Sequence, residues 1–443
     1  MTIYALSSGP GLSGIAVIRV SGSDTLKVLK NMTYLTIPDP KVASLRKFIN
    51  PKTKEIIDEG ILLWFPGPDS YTGEDMAEFH IHGSKAVIEA MSLCISKVDG
   101  CRLAEPGEFT KIAFLNGKIN LLKAESISDL ISSETEIQRQ QAIKIMSGKS
   151  SDKFNSLRER LIKILSNVEA KIDFPEDDLP GDILKNIHSE TKTIKNEIKK
   201  ILSDENVGEI IREGFKIAIV GPTNAGKSSL LNYLSKRDVA IVSEIAGTTR
   251  DVIEAQLNLD GFPVVISDTA GIREAKDEIE KKGIKLALER AENADLILIL
   301  IEPKSIDFTD FFKHFEPKKS ILVINKMDLH ADHIGNEIKK YDTVSLSIKE
   351  EKNLDKLINL IKKKLENKFI SQKDIYITRK RHRNNLEKCL EYLTSFEEKN
   401  SIEDFDKAAE DLRLATRHLG MIVGKVDIEE ILGSIFNDFC IGK

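Results

Sequence analysis

Gly221-Pro-Thr-Asn-Ala-Gly-Lys-Ser228 is the stretch that most constrains what this chain can fold into. It fits the phosphate-loop pattern G-x-x-x-x-G-K-[ST], which works only between a strand and a helix. Both neighbours have the required character. Phe215-Lys-Ile-Ala-Ile-Val220 is a short apolar run that reads as a buried strand, and Ser228-Ser-Leu-Leu-Asn-Tyr-Leu234 carries apolar residues at helical spacing. Gly221 and Gly226 allow a tight turn whose backbone N–H groups converge on phosphate oxygens. A helix starting near Lys227 adds its positive N-terminal end to the same place. Lys227 is then set to bridge the β- and γ-phosphates as a point charge, with the Ser228 hydroxyl on Mg2+.

Three more stretches follow in a fixed order: Gly247-Thr-Thr249, Asp268-Thr-Ala-Gly271 and Asn325-Lys-Met-Asp328. Thr249 falls on the loop after the first helix, where a γ-phosphate and its metal order a switch segment. Asp268 closes the apolar run Val264-Val-Ile266, from which it can hold the metal through water; the Gly271 N–H is free to approach the γ-phosphate. Asn325-Lys-Met-Asp328 follows Ile321-Leu-Val-Ile324 and so lies at the C-terminal edge of a strand, where open α/β sheets bind ligands. A carboxylate at Asp328 accepts from guanine N1–H and from its 2-amino group; adenine offers neither donor. Two charge-assisted bonds at roughly 1.5–3 kcal/mol each predict a preference for guanine of about 10²–10⁴-fold. Ser347-Ile-Lys349, after a short apolar strand, completes the base pocket through backbone N–H groups. The set predicts a guanine-nucleotide hydrolase.

Small regulatory GTPases place a water-orienting glutamine directly after the Asp-x-x-Gly segment. Here that position is Ile272, which neither donates nor accepts. The segment that follows offers Glu274, Asp277, Glu278 and Glu280, and the residues by themselves do not choose among them. Asn224 is the second departure. Its side-chain oxygen lies inside the phosphate loop, where it either ligates a cation against the developing charge or braces the loop.

Helical patterns lie on both sides of this unit. Leu121, Leu122, Ile127, Leu130 and Ile131, then Leu157, Leu161, Ile164, Leu165 and Val168, recur at amphipathic helical spacing, and helix resumes from Ile183 to Leu202. Beyond the GTPase unit, 383–396, 402–419 and 426–436 read as helices again. The first 118 residues carry β-branched runs separated by Gly and Pro and read as an α+β domain. The predicted architecture is therefore multidomain: an α+β N-terminal domain over 1–118, a helical domain over 119–212 and 368–443, and an α/β P-loop GTPase domain over 213–367 inserted into it.

Composition matters mainly for what it excludes. Residues 1–118 carry 13 basic and 13 acidic side chains and 212–367 carry 25 and 26, so no domain is built to hold RNA mainly by counterion release. The one dense basic cluster, Arg379-Lys-Arg-His-Arg383, reads as a solvated helix start or a local phosphate contact. No run approaches the ~18 apolar residues of a membrane span, and the N-terminal residues lack signal-peptide features, which predicts a cytoplasmic protein with no membrane partner. Cysteines 94, 101, 389 and 440 show no metal-type spacing.

The chain resembles along its whole length the MnmE (TrmE) family of tRNA-modification GTPases. The likeness rests on Gly14-Ile-Ala-Val-Ile-Arg-Val-Ser-Gly22, Leu63-Trp-Phe-Pro-Gly-Pro68, Tyr71-Thr-Gly-Glu-Asp75, Glu105-Pro-Gly-Glu-Phe109 and Ala113-Phe-Leu-Asn-Gly-Lys118. It continues through Ile172-Asp-Phe-Pro175, Asn224-Ala-Gly-Lys-Ser-Ser-Leu-Leu-Asn232, Ile245-Ala-Gly-Thr-Thr-Arg-Asp251 and Phe439-Cys-Ile-Gly-Lys443. Pro222-Thr223 replaces the commoner Arg-Pro order, and Ser243 stands where threonine is more usual.

The resemblance implies GTP contacts from Asn224, Ala225, Gly226, Lys227, Ser228 and Ser229, from Ser243, Glu244, Ile245, Ala246, Gly247, Thr248 and Thr249, and from Asp268, Thr269, Ala270 and Gly271. Asn325, Lys326, Asp328, Ser347, Ile348 and Lys349 would face the base. It implies Mg2+ on Ser228 and Thr249, and K+ on Asn224 with Ser243, Ile245 and Thr248, formed when two GTPase domains meet in a homodimer. Glu280 matches the family's water-orienting glutamate, and Cys440 a cysteine required for modification. Arg19, Glu78, Lys118 and Lys443 match its contacts to 5-formyltetrahydrofolate or a related one-carbon folate. The implied activity is a potassium-dependent GTPase that, with a flavin-dependent MnmG-type partner in a heterotetramer or larger assembly, adds a carboxymethylaminomethyl-type group to carbon 5 of the wobble uridine of certain tRNAs. A ribosome-assembly GTPase switch is the alternative. It ordinarily appends a basic RNA-binding module, and no such module stands out here.

Overall fold

The computed structural model describes residues 1–34, 37–173, 183–222, 224–237, 254–268, 291–303, 315–327, 340–369, 375–399, 405–426, 435–436 and 439–442. The chain divides into two compact units, one of 1–128, 145–188 and 391–443, the other of 129–144 and 189–390.

The first unit is built on a six-stranded sheet. Its strands are β1 (Thr2–Leu6), β2 (Ser13–Ser21), β3 (Ser44–Ile49), β4 (Ile56–Phe65), β5 (Met76–Gly83) and β6 (Cys101–Leu103), in the order β3-β4-β5-β2-β1-β6. All neighbours are antiparallel except β1 and β6. Period-two alternation sets the two faces. Along β2, Ala16, Ile18 and Val20 are buried, whereas Val17 and Arg19 between them are only partly covered. Helices α1 (Thr25–Met32) and α2 (Lys85–Ser96) share the buried side, where Leu29, Met32, Met91 and Ile95 meet Phe48, Leu62, Trp64 and Phe79. Ser84 caps α2 by accepting from the Val87 N–H at 3.2 Å. Helix α3 (Glu108–Leu115) follows, and Phe109 on it packs with Ile3 and Ala5.

Helix α4 (Leu121–Ile131) leads into α5 (Glu136–Met146) and α6 (Lys149–Asp173). Phe154, Leu157, Leu161, Ile164 and Val168 are buried along α6 at helical spacing. That stripe packs along α12 (Phe405–Val423), which buries Leu412, Ala415, Leu419 and Ile422. Further helices among the described residues are α7 (Ile183–Leu202), α8 (Val207–Glu213), α9 (Lys227–Arg237), α10 (Leu354–Phe369) and α11 (Lys380–Glu398).

The second unit carries the other six-stranded sheet: β7 (Phe215–Val220), β8 (Glu254–Leu259), β9 (Phe262–Asp268), β10 (Leu296–Ile301), β11 (Ser320–Ile324) and β12 (Asp342–Ser345), in the order β12-β11-β10-β7-β9-β8. Every neighbouring pair is parallel except β8 with β9. The all-apolar β10, Leu-Ile-Leu-Ile-Leu-Ile, is buried at every position, as a strand covered on both faces must be. The chain moves from β7 to one side through β9 and to the other through β10. The C-terminal end of β7 is therefore the topological switch point, where ligands of open α/β sheets sit. Among the described residues, no helix is long and apolar enough to cross a membrane.

Candidate nucleotide-binding site

Gly221 leaves β7 at that switch point with φ +152°, and Gly226 turns back with φ +101°. A Cβ on Gly221 would lie 2.0 Å from the Leu300 carbonyl oxygen, and one on Gly226 2.5 Å from Asn325 Nδ2, so the loop is pressed against β10 and against Asn325. Only glycine permits that approach. Between them Asn224 is exposed and takes the left-handed backbone, φ +64°. Helix α9 begins at Lys227, and Ser228 and Ser229 are exposed on its first turn. The Lys227 ammonium, largely buried, donates to the Gly221 and Pro222 carbonyls at 3.0 and 2.8 Å and so lies over the mouth of the loop. The exposed Ser228 hydroxyl offers a hard oxygen, the kind of ligand that Mg2+ selects. Asp268 is the last residue of β9 and pairs with Ile219 of β7.

Asn325-Lys326-Met327 follows β11, and Ser347-Ile348-Lys349 lies just beyond β12. Asn325 is buried at the end of β11. It donates through Nδ2 to the Ala225 carbonyl at 2.8 Å, and its Oδ1 accepts the Ile348 N–H at 3.1 Å. Its role is thus to lock the phosphate loop to Ser347-Ile348-Lys349. Ser347 is buried too: its N–H and carbonyl pair with Lys352, and its hydroxyl accepts the Glu350 N–H at 3.3 Å. Lys349 is exposed. Lys326 takes φ +61° and pairs with Glu302, the residue directly after β10. Glu302 is a partner of the predicted site that the motifs did not reveal, because nothing in its own sequence context marks it. Ser243 to Thr249, Thr269 to Gly271, Glu280, Asp328 and Lys443 lie outside the described residues.

A second cluster sits in the first unit. Arg19 and Glu78 face each other across β2 and β5, with Nε and Nη2 donating to one carboxylate oxygen at 3.0 and 2.8 Å. The Arg19 guanidinium lies 5.6 Å from the ring centres of both Tyr71 and Phe109. Aromatic faces on two sides hold it by cation–π attraction. Burial pushes the Tyr71 phenol up, despite its bond with Thr110 and the nearby Arg19, so it stays neutral. The Lys118 stem reaches the same loop, 3.3 Å from where a Cβ on Gly73 would stand. The chain near residue 440 docks on this unit as well. Gly107 N–H donates to the Cys440 carbonyl at 3.4 Å, and Ser7 Oγ donates to the Gly442 carbonyl at 2.8 Å. The Cys440 thiol is exposed.

A phosphate loop at the switch point of a largely parallel sheet, tied by asparagine to an Asn-Lys-Met segment, defines a P-loop GTPase. Family models described as "MnmE helical domain" and "GTP-binding protein TrmE N-terminus" match residues 121–440 and 2–118. The tRNA modification GTPase MnmE of Pelagibacter ubique is 71% identical over 443 residues, covering 100% of both chains. That of Rickettsia bellii is 44% identical over 446 residues, again covering 100% of both. A solved structure of Aquifex aeolicus Era bound to GDP.AlF4- is 32% identical over 33% of this chain and 56% of its own, with a TM-score of 0.27. The chain belongs to the MnmE family of tRNA modification GTPases.

Proposed function

We propose that this chain is a homodimeric, potassium-dependent GTPase. With a flavin-dependent, MnmG-type partner it adds a carboxymethylaminomethyl-type group to carbon 5 of the wobble uridine of certain tRNAs in the cytoplasm. The full-length likeness to MnmE relatives at 71% identity carries this reading. The division of labour we propose is an N-terminal folate-binding and dimerising domain over 1–118, a helical domain over 119–212 and 368–443, and a GTPase domain over 213–367.

In the GTPase domain, Lys227 and the loop N–H groups hold the phosphates, Ser228 with Thr249 holds Mg2+, and Asp328 reads guanine. Asn224, exposed within the loop, is the side chain that contributes to a K+ site completed by backbone oxygens of Ser243, Ile245 and Thr248. A monovalent cation there supplies the positive charge that an arginine finger supplies elsewhere, and Glu280 orients the water. In the N-terminal domain, Arg19, Glu78, Lys118 and Lys443 form the folate site. The pre-set Arg19–Glu78 pair, walled by Tyr71 and Phe109, supports a flat polar heterocycle as its ligand. Cys440 is required for modification.

Nucleoside analysis of tRNA from cells lacking the chain tests the reading. Loss of the wobble modification, restored by the wild-type chain, is the expected result; unchanged modification would overturn it.

A further inference from the structure

Within the basic cluster at 379–383, Arg379 and Arg383 are engaged in ion pairs with buried or part-buried carboxylates. Arg383 is largely buried and donates through Nε to both Glu209 oxygens at 3.1 Å, through Nη1 to the Leu202 carbonyl at 3.1 Å, and through Nη2 to Asp204. Arg379 donates to Asp129 Oδ1 at 2.7 Å, and Arg212 donates to the same oxygen at 3.0 Å. Helix α8 carries Glu209 and Arg212. Two glutamines of α5 grip its backbone as well, Gln141 at the Gly208 carbonyl (3.0 Å) and Gln138 at the Arg212 carbonyl (3.3 Å).

The other side of α8 is apolar. Val207 and Ile211 are buried in the same core as Phe215 and Ile217 of β7 and as Leu357, Ile361 and Phe369 of α10. Only Gly214 separates α8 from β7, and β7 ends at Gly221 of the phosphate loop. Six strand residues at ~3.3 Å each put the loop about 20 Å away. Any displacement of the GTPase core therefore carries α8 with it, since packed interiors do not deform continuously. What α8 displaces is decided by its charged side.

We infer that the Arg383–Asp204–Glu209 and Arg379–Asp129–Arg212 clusters are a coupling joint, which transfers nucleotide-driven movement of the GTPase core to the helices bearing Asp129 and Arg383. The inference deepens the proposed function and rests on it for the modification readout only. Ionic contacts suit a joint better than a core does. Their worth depends on geometry, and removing one partner of a buried pair leaves the other charge uncompensated. Asp204 Oδ2 is buried with no partner among the described residues, which leaves this arrangement incompletely satisfied. None of these residues belongs to the phosphate loop or to the Asn325 and Ser347 segments, so they act as positioning residues.

The test compares wild-type chain with Arg383→Gln and Arg379→Gln, each assayed with K+, Mg2+, the flavoprotein partner and tRNA. GTP turnover should stay within about twofold of wild type, while modified uridine formed per GTP hydrolysed falls about tenfold, the size of a typical coupling free energy. Hydrogen exchange with and without GDP plus aluminium fluoride should show a nucleotide response over 380–398 in the wild type and none in the variants. Unchanged modification per GTP together with an unchanged exchange response would overturn the joint. Should a glutamine variant fail to fold, Arg383→Lys keeps one cation but cannot span both carboxylates, and the same two readouts decide. A wild-type chain that shows the exchange response but modifies no tRNA would refute the proposed function and leave the joint standing.

Discussion

The side-chain amide of Asn325 donates to the carbonyl of Ala225, 100 residues earlier, at 2.8 Å, and its oxygen receives the Ile348 N–H at 3.1 Å. One buried side chain thereby holds the phosphate loop and the 347–349 loop in register. Asn325→Ala removes both bonds and leaves the buried Ala225 carbonyl and the part-buried Ile348 N–H without them. At about 0.5–1.5 kcal/mol per bond, GDP affinity should fall roughly 10- to 100-fold in a fluorescent-nucleotide titration. An affinity within twofold of wild type would show that the loops hold their register without it.

Gly226→Ala probes the same contact from the other side. The new methyl would lie 2.5 Å from Asn325 Nδ2 on a backbone at φ +101°. Nucleotide binding should be lost, while circular dichroism still reports a folded chain, because the strain is confined to the loop. Retained binding would mean that the loop adopts another path.

Asn224 carries the potassium proposal. Hydrolysis should run faster in K+ than in Na+, and Asn224→Ala should abolish that difference. Equal wild-type rates in both salts would remove the cation from the mechanism. Glu280→Ala should lower kcat with little change in GTP affinity, the pattern of an interaction made only in the transition state.

Glu108 gives a pH signature. Burial alone would raise its carboxyl, but the bonds from Arg102 and the Glu105 N–H win and hold it below the ordinary value of 4.5. A carboxyl lowered by folding adds stability above its unfolded value, and that stability is lost as pH falls through the folded one. Glu108→Gln should therefore flatten the acid limb of the thermal-stability profile below pH 4.5. A limb as steep as wild type would exclude this pair as its source.

Much of the GTPase unit was legible because its signals are local. The apolar runs at 215–220, 264–266 and 321–324 fall within β7, β9 and β11. Gly221 and Gly226 stand where the pattern requires a turn. Longer-range pairings were not legible. Arg383 finds its carboxylates 174 and 179 positions back, and Arg379 finds Asp129 at 250, so a run of five basic and imidazole residues looks solvated until the fold supplies partners. Glu302 was missed for the same reason, since its role depends on the neighbouring strand that delivers Lys326. Tyr71 and Phe109 lay within motifs that carried the family resemblance, yet their stacking on Arg19 needs the sheet to form.

Gly442, at φ +94°, sits where a Cβ would be 2.2 Å from the Leu6 carbonyl oxygen, so Gly442→Ala should unseat this segment. We expect modification to fail while GTP turnover on the separate unit stays near wild type; intact modification would show that the seat is dispensable.

Ser7 and Gly442 meet across 435 positions. The two can therefore meet only after the intervening residues, the nucleotide-binding sheet among them, have been synthesised. Until then the end of β1 at Leu6 and Ser7 lacks the neighbour that Gly442 supplies.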